Sequence, residues 1–218
     1  MFDDWFLIAE WIGTVSFAVS GSLVAIACSL DLFGVLIVGC VTAVGGGITR
    51  DILMGNLPPR IFSEPMVLAL ALVTALSVFL IAAINAKNFS GFRKKLDTVN
   101  IFFDALGLAV FSVSGVETAC AHGFEKQVFF AVLLGVLTGV GGGVLRDVLV
   151  NEKPYVLTKH IYAVASIVGC GVYLAFRNLL GMKEWGMIVS IVVIVAIRLL
   201  AARFRWKLPK IHLPSDEK

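Results

Sequence analysis

The chain has 218 residues, 59% of them hydrophobic and only 15% charged, with a formal net charge of +3 and a mean hydropathy of +0.95. Soluble domains carry about 25% charged residues, so the composition excludes an ordinary soluble domain and indicates a polytopic membrane protein. Apolar and polar residues do not alternate at strand length, which argues against a β-barrel and for an all-α membrane fold.

A spanning helix needs about 20 mostly apolar residues, and seven stretches meet that length, at 5–27, 34–53, 66–85, 101–120, 128–149, 160–176 and 185–200. The start of the chain, through Asp3 and Asp4, is acidic and lacks a basic leader, so the first stretch is read as a retained helix. That stretch carries Glu10, Gly13, Phe17 and the pair Ser20-Gly21. The second carries Thr42, then Gly45-Gly46-Gly47, then Arg50-Asp51, and Pro58-Pro59 follow. The third is apolar without a motif, and a basic link, Arg93-Lys94-Lys95, leads to Asp97. The fourth holds Asp104, Phe111, Ser114-Gly115 and Glu117. The fifth repeats the second, with Thr138, Gly141-Gly142-Gly143 and Arg146-Asp147 followed by Pro154. The sixth is short and glycine-rich, the seventh is plain, and residues 207–218 form a polar tail with two prolines.

Loop lysines and arginines set orientation. With the N-terminus outside, the inner links hold Lys87, Arg93, Lys94, Lys95, Lys153 and Lys159, and the inner tail holds Arg203, Arg205, Lys207 and Lys210. The outer links hold only Arg60, Lys126, Arg177 and Lys183, so N-out and C-in is expected. The basic clusters suit an anionic cytoplasmic leaflet rather than nucleic acid. Cys28, Cys40, Cys120 and Cys170 lack ligand spacing and read as buried apolar thiols. His122, His160 and His212 are isolated, so neither a metal site nor a cofactor is expected, and the absence of a nucleophile or phosphate motif argues against an enzyme.

The chain matches itself. At an offset of 96, half the positions of 39–58 are identical to those of 135–154; at an offset of 94, Glu10 meets Asp104, Phe17 meets Phe111 and Ser20-Gly21 meets Ser114-Gly115. The third helices match poorly. Residues 1–92 and 93–182 thus form two three-helix units, 183–206 a seventh helix and 207–218 a cytoplasmic tail. An odd number of crossings per unit inverts the second copy, the arrangement of many transporters, whose sites lie near the midplane between repeats.

Glycine costs about 1 kcal/mol per residue in a helix relative to alanine, so each triplet predicts a kink or a short unwound segment near the membrane centre, whose freed carbonyls would face a cation. Close helix packing is the alternative. Arg50 and Arg146 either mark the pathway or reach the headgroups, with a structural or gating role preferred to direct ion contact, and a cation path needs Asp51, Asp147, Glu10, Asp104 or Glu117 as their partners. Asp51 and Asp147 are also candidates to cap a restarted half-helix. Ser20, Ser114, Thr42 and Thr138 either line a polar path or bond their own helix carbonyls. Phe17 and Phe111 either form an apolar constriction or simply pack.

The doubled Gly-Gly-Gly-x-x-Arg-Asp-x-Leu, each copy followed by proline in a chain of three plus three plus one helices, resembles the prokaryotic branch of the trimeric intracellular cation (TRIC) channels, a domain also named a glycine-transporter domain. The resemblance implies a homotrimer in a bacterial inner membrane, with a pore inside each protomer lined by the first, second, fourth and fifth helices. It implies bending of the second and fifth at Gly45–Gly47 and Gly141–Gly143, and conduction of monovalent cations, potassium or sodium. Bound lipid between subunits is also implied, although the Lys-Glu lipid motif of animal members has only Asn151-Glu152-Lys153 as a parallel. A carrier for glycine or another small zwitterion is the alternative activity, because a paired arginine and aspartate would suit a carboxylate and an ammonium.

Overall fold

The computed structural model describes residues 4–85, 89–158 and 161–206. Lys87, Lys159, His160 and the tail from Lys207 onward lie outside the described residues, as do the side chains of Arg93, Lys94 and Lys95. The described chain forms α1 (Asp4–Ala27), α2 (Leu32–Leu53), α3 (Pro65–Ile84), α4 (Phe89–Ala119), α5 (Val128–Leu149), α6 (Tyr155–Thr158), α7 (Tyr162–Leu180) and α8 (Lys183–Phe204). All but α6 are long and apolar enough to cross a membrane, which gives seven spans among the described residues.

Local chemistry sets the ends. The Asp31 carboxylate accepts the Gly34 N–H at 2.8 Å at the start of α2, satisfying a donor that the first helical turn leaves free. Pro65 opens α3, where its missing N–H costs nothing. Gly181, at φ 66°, closes α7 in the left-handed conformation. The last two spans therefore run at 162–180 and 183–204, each ending later than the 160–176 and 185–200 expected from apolarity. Polar turns at helix ends carry no hydropathy signal, which also hid the early start of α4 at Phe89.

The expected unwound segments are absent. α2 runs unbroken from Leu32 to Leu53 and α5 from Val128 to Leu149, straight through both glycine triplets. The physical reason is a comparison of magnitudes. Three glycines weaken a helix by about 3 kcal/mol, but each backbone group freed in hydrocarbon costs several kcal/mol. The helix holds, and the glycines serve close approach instead. A Cβ on Gly46 would overlap the carbonyl oxygen of Thr138, and a Cβ on Gly142 that of Thr42. The two triplets are where α2 and α5 cross, backbone on backbone.

The same logic runs through the core. α1 and α4 lie antiparallel, with Gly13 against Val110 and Phe111, and Gly107 against Phe17. Gly21 seats Thr42 in the first unit and Gly115 seats Thr138 in the second. Contacts between helices of opposite units reverse chain direction at each pairing, so the two units are inverted copies packed face to face. α3 flanks α1 and α2, α7 flanks α4 and α5, and α8 packs on α7 and α4.

Candidate functional site

Each motif arginine is buried beside the glycine crossing, one on either side of it. Arg146 and Asp104 are wholly excluded from solvent. The Arg146 guanidinium donates to Asp147 at 2.8 Å, to Asp104 at 2.8 Å and to the Ser20 hydroxyl at 2.7 Å. Ser20 in turn donates to Asn100 Oδ1 at 2.7 Å. Arg50 repeats the pattern with longer bonds, donating to Asp51 at 2.9 Å, Glu10 at 3.4 Å and Ser114 at 3.3 Å, while Ser114 donates to Glu10 at 3.1 Å. Each cluster is thus completed by a serine from the opposite repeat. Neither arginine reaches the headgroups, because a buried guanidinium surrounded by carboxylates has its charge compensated where it stands.

The motif aspartates do not cap a restarted helix, since no helix restarts. Asp51 Oδ2 accepts the Arg60 N–H at 2.9 Å, and Asp147 Oδ2 accepts the Tyr155 N–H at 2.8 Å. Each therefore fastens the loop that follows its own helix. Thr42 and Thr138 bond their own helix carbonyls, Val38 and Leu134, both at 2.6 Å. The hydroxyls are occupied, and Gly21 and Gly115 give each threonine side chain the room to sit against the neighbouring helix. Phe17 and Phe111 stack across the pseudo-twofold at 5.4 Å between ring centroids, both buried.

Glu117, a candidate partner for the motif arginines, belongs elsewhere: its carboxylate accepts from Arg177 and from the Tyr173 hydroxyl, on α7. Three of the four cysteines are buried as expected, but Cys28 is exposed. Sequence reading did not assign Asn100, Tyr162, Arg198 or the role of Arg60. Arg60 Nη1 donates to Glu10 at 3.1 Å, and Arg198 Nη2 to Asp104 at 3.4 Å. An arginine within an apolar span was a sufficient signal for Arg198; Arg60 lies on a loop that nothing in the sequence brings to Glu10. Burial opposes the charge on Arg60, but the hydrogen bond to Glu64 and the fields of Glu10, Glu64 and Asp51 outweigh it and raise its pKa.

Two cavities flank this centre. One, of about 50 Å³, lies on the Arg50 side and is lined by Glu10, Thr14, Gly47, Arg50, Arg60 and Phe111 among others. The Thr14 hydroxyl, buried on that wall, has no protein partner among the described residues. The other, of about 510 Å³, lies on the Arg146 side and is lined by Cys28, Asp97, Asn100, Asp147, Glu152 and Tyr155 among others. Between them stand the Phe17–Phe111 stack and the two arginine clusters. Among the described residues, no group of three or more His, Cys, Asp and Glu side chains could hold a metal ion.

The glycine-transporter family model matches the chain twice, at residues 7–83 and 101–178. The chain is 39% identical to the UPF0126 inner membrane protein YadS of Escherichia coli, over 94% of this chain and 95% of that protein. It superposes on a solved TRIC cation channel with a TM-score of 0.81 at 35% identity, covering 95% of this chain and 98% of the channel. The TRIC trimeric intracellular cation channel orthologue from Rhodobacter sphaeroides gives a TM-score of 0.81 at 29% identity, with 92% and 98% covered.

Proposed function

The chain belongs to the glycine-transporter-domain family that includes the prokaryotic TRIC channels, and from that premise we propose that it conducts monovalent cations, potassium among them, through a path inside each protomer. The observation that carries this reading is the pair of cavities, one lined by the Arg50 cluster and the other reaching Asp147 and Asn100 of the Arg146 cluster. With the N-terminus outside, the Glu10 cavity opens outward and the larger cavity faces the cytoplasm. Asp97, Asp147 and Glu152 give the inner mouth a negative lining, which enriches cations locally. An ion entering it meets Asn100, then the Ser20–Arg146–Asp104 cluster, then the phenylalanine stack. On this reading, conduction requires the two rings and the arginine clusters, which separate the cavities, to rearrange.

The homotrimeric TRIC assembly, an inner-membrane location like that of YadS, and lipid between subunits are part of the same proposal. A glycine carrier is disfavoured by the bonding at the site. Its arginines are each engaged by two carboxylates, leaving a substrate carboxylate to compete with charges already in place.

Purified protein in planar bilayers tests the choice. Discrete unitary potassium currents are expected. Saturable glycine uptake into liposomes without unitary currents would replace the channel with a carrier.

A further inference from the structure

We propose that Arg198, supplied by the seventh membrane helix, is the positive charge that keeps the inner half of the cation path shut, acting through Asp104. The inference rests on the pathway read above and adds to it a role for α8, the helix outside the repeat.

Glu10 and Asp104 occupy equivalent positions, and each receives two guanidinium groups. The first comes from the motif in both halves. The second differs: it is Arg60, on a loop and 27% exposed, for Glu10, and Arg198, on α8 and 4% exposed, for Asp104. The inner cluster therefore balances two arginines against Asp104 and Asp147, and is neutral. The outer cluster sets Arg50 and Arg60 against Glu10 and Asp51, and carries an excess negative charge only through the 41% exposed Glu64 that also pairs with Arg60. Without Arg198 the inner cluster would carry one too, beside an acidic vestibule. Buried charge is screened little, so a cation approaching the inner cluster is strongly sensitive to that single unit.

The grip on Arg198 is weak compared with that on Arg146. Arg146 makes three bonds of 2.7–2.8 Å to Asp104, Asp147 and Ser20. Arg198 makes one bond of 3.4 Å to Asp104 and lies 4.4 Å over the Tyr162 ring; each arginine leaves one nitrogen without a partner among the described residues, Nε of Arg198 and Nη2 of Arg146. Of the two cations on Asp104, Arg198 is the one that separates with less loss. Its departure leaves Asp104 still held by Arg146 through Oδ1, with Oδ2 facing the space Arg198 vacated. Arg198 follows Ile194 by one turn on α8, and Ile194 seats on Gly169 of α7, so the packing of α8 on α7 sets the position of the guanidinium.

Single-channel recording in a potassium chloride gradient, with thermal unfolding of each purified variant, tests this positioning role. R198M keeps the apolar stem and removes the charge. Relative to wild type, it should raise open probability or unitary conductance by about fivefold or more and move the reversal potential towards that of potassium. R198K should restore wild-type currents and selectivity. If R198M does not fold, R198Q carries the same expectation. Unchanged or reduced current and selectivity in the folded neutral variant would overturn the proposal, as would equal effects of methionine and lysine. Wild-type protein without potassium current would instead overturn the channel reading itself.

Discussion

The two arginine clusters are copies of one design, yet one is wet and the other dry. Around Arg50 the bonds are long, Glu10 is 15% exposed and the second arginine arrives from a loop. Around Arg146 the bonds are short and the second arginine arrives from a membrane helix. The mouths show the opposite asymmetry. Phe6 and Asn100 are equivalent positions at an offset of 94. Phe6 is buried edge-on against Tyr173, on the side of the Glu117–Arg177 pair, whereas Asn100 lines the large inner cavity. The inner end thus joins the larger cavity to the more tightly bonded cluster; the outer end joins the smaller cavity to the looser one. An inverted repeat supplies symmetry of backbone, and single side chains then give the two ends different tasks.

The largest effect should appear where the halves are most alike. G46L or G142L would drive a side chain into a backbone carbonyl of the crossing helix, so neither should yield a folded protein by size-exclusion chromatography. G46A and G142A should each destabilise by about 3 kcal/mol or more, the upper range for overpacking. G47A, with only the Arg50 side chain 3.9 Å from the new Cβ, should leave the melting temperature nearly unchanged. Equal tolerance of all three alanine variants would remove the glycine crossing from the account.

Next comes the contrast between clusters. Removing one partner of a dry ion pair costs about 3–5 kcal/mol, and R146Q should approach that in detergent melts, while R50Q, with Glu10 hydrated and held by Arg60, should cost clearly less. A smaller loss for R146Q would invert the wet and dry assignment. N100F copies Phe6 onto the inner mouth and should reduce potassium flux by roughly tenfold through an apolar plug. Undiminished flux would take Asn100 off the path. The smallest effect belongs to R60Q, whose pairs to Glu10 and Glu64 are partly exposed and worth about 1 kcal/mol or less; raising salt should shrink the difference further.

Much of this was legible in the sequence because repetition is. The doubled motif located both arginines, both serines and the phenylalanine stack, and the odd helix count fixed their inverted pairing. What the repeat could not show is what the repeat does not contain. Arg198 lies on the unrepeated helix, Arg60 is brought to Glu10 by a loop, and Asn100 aligns with a phenylalanine of different chemistry. Glu117 was placed with the motif arginines because both are intramembrane charges, yet its partner Arg177 sits on the poorly matching sixth span. The unwinding expected at the glycines failed for another reason. Glycine propensities are measured in water, and in lipid the demand to satisfy every backbone group outweighs them.

The central claim, that both cavities belong to one path through the protomer, meets its most direct test at Cys28. This native thiol is exposed and lines the inner cavity, whereas Cys40, Cys120 and Cys170 are buried. Partial burial, with Glu152 and Asp147 nearby, raises its pKa, so a membrane-impermeant, positively charged thiol reagent should be applied at alkaline pH. Applied during bilayer recording from the side that the larger cavity faces, it should reduce potassium current in wild-type protein and leave Cys28→Ser untouched. Full current after verified modification of Cys28 would contradict the path described here.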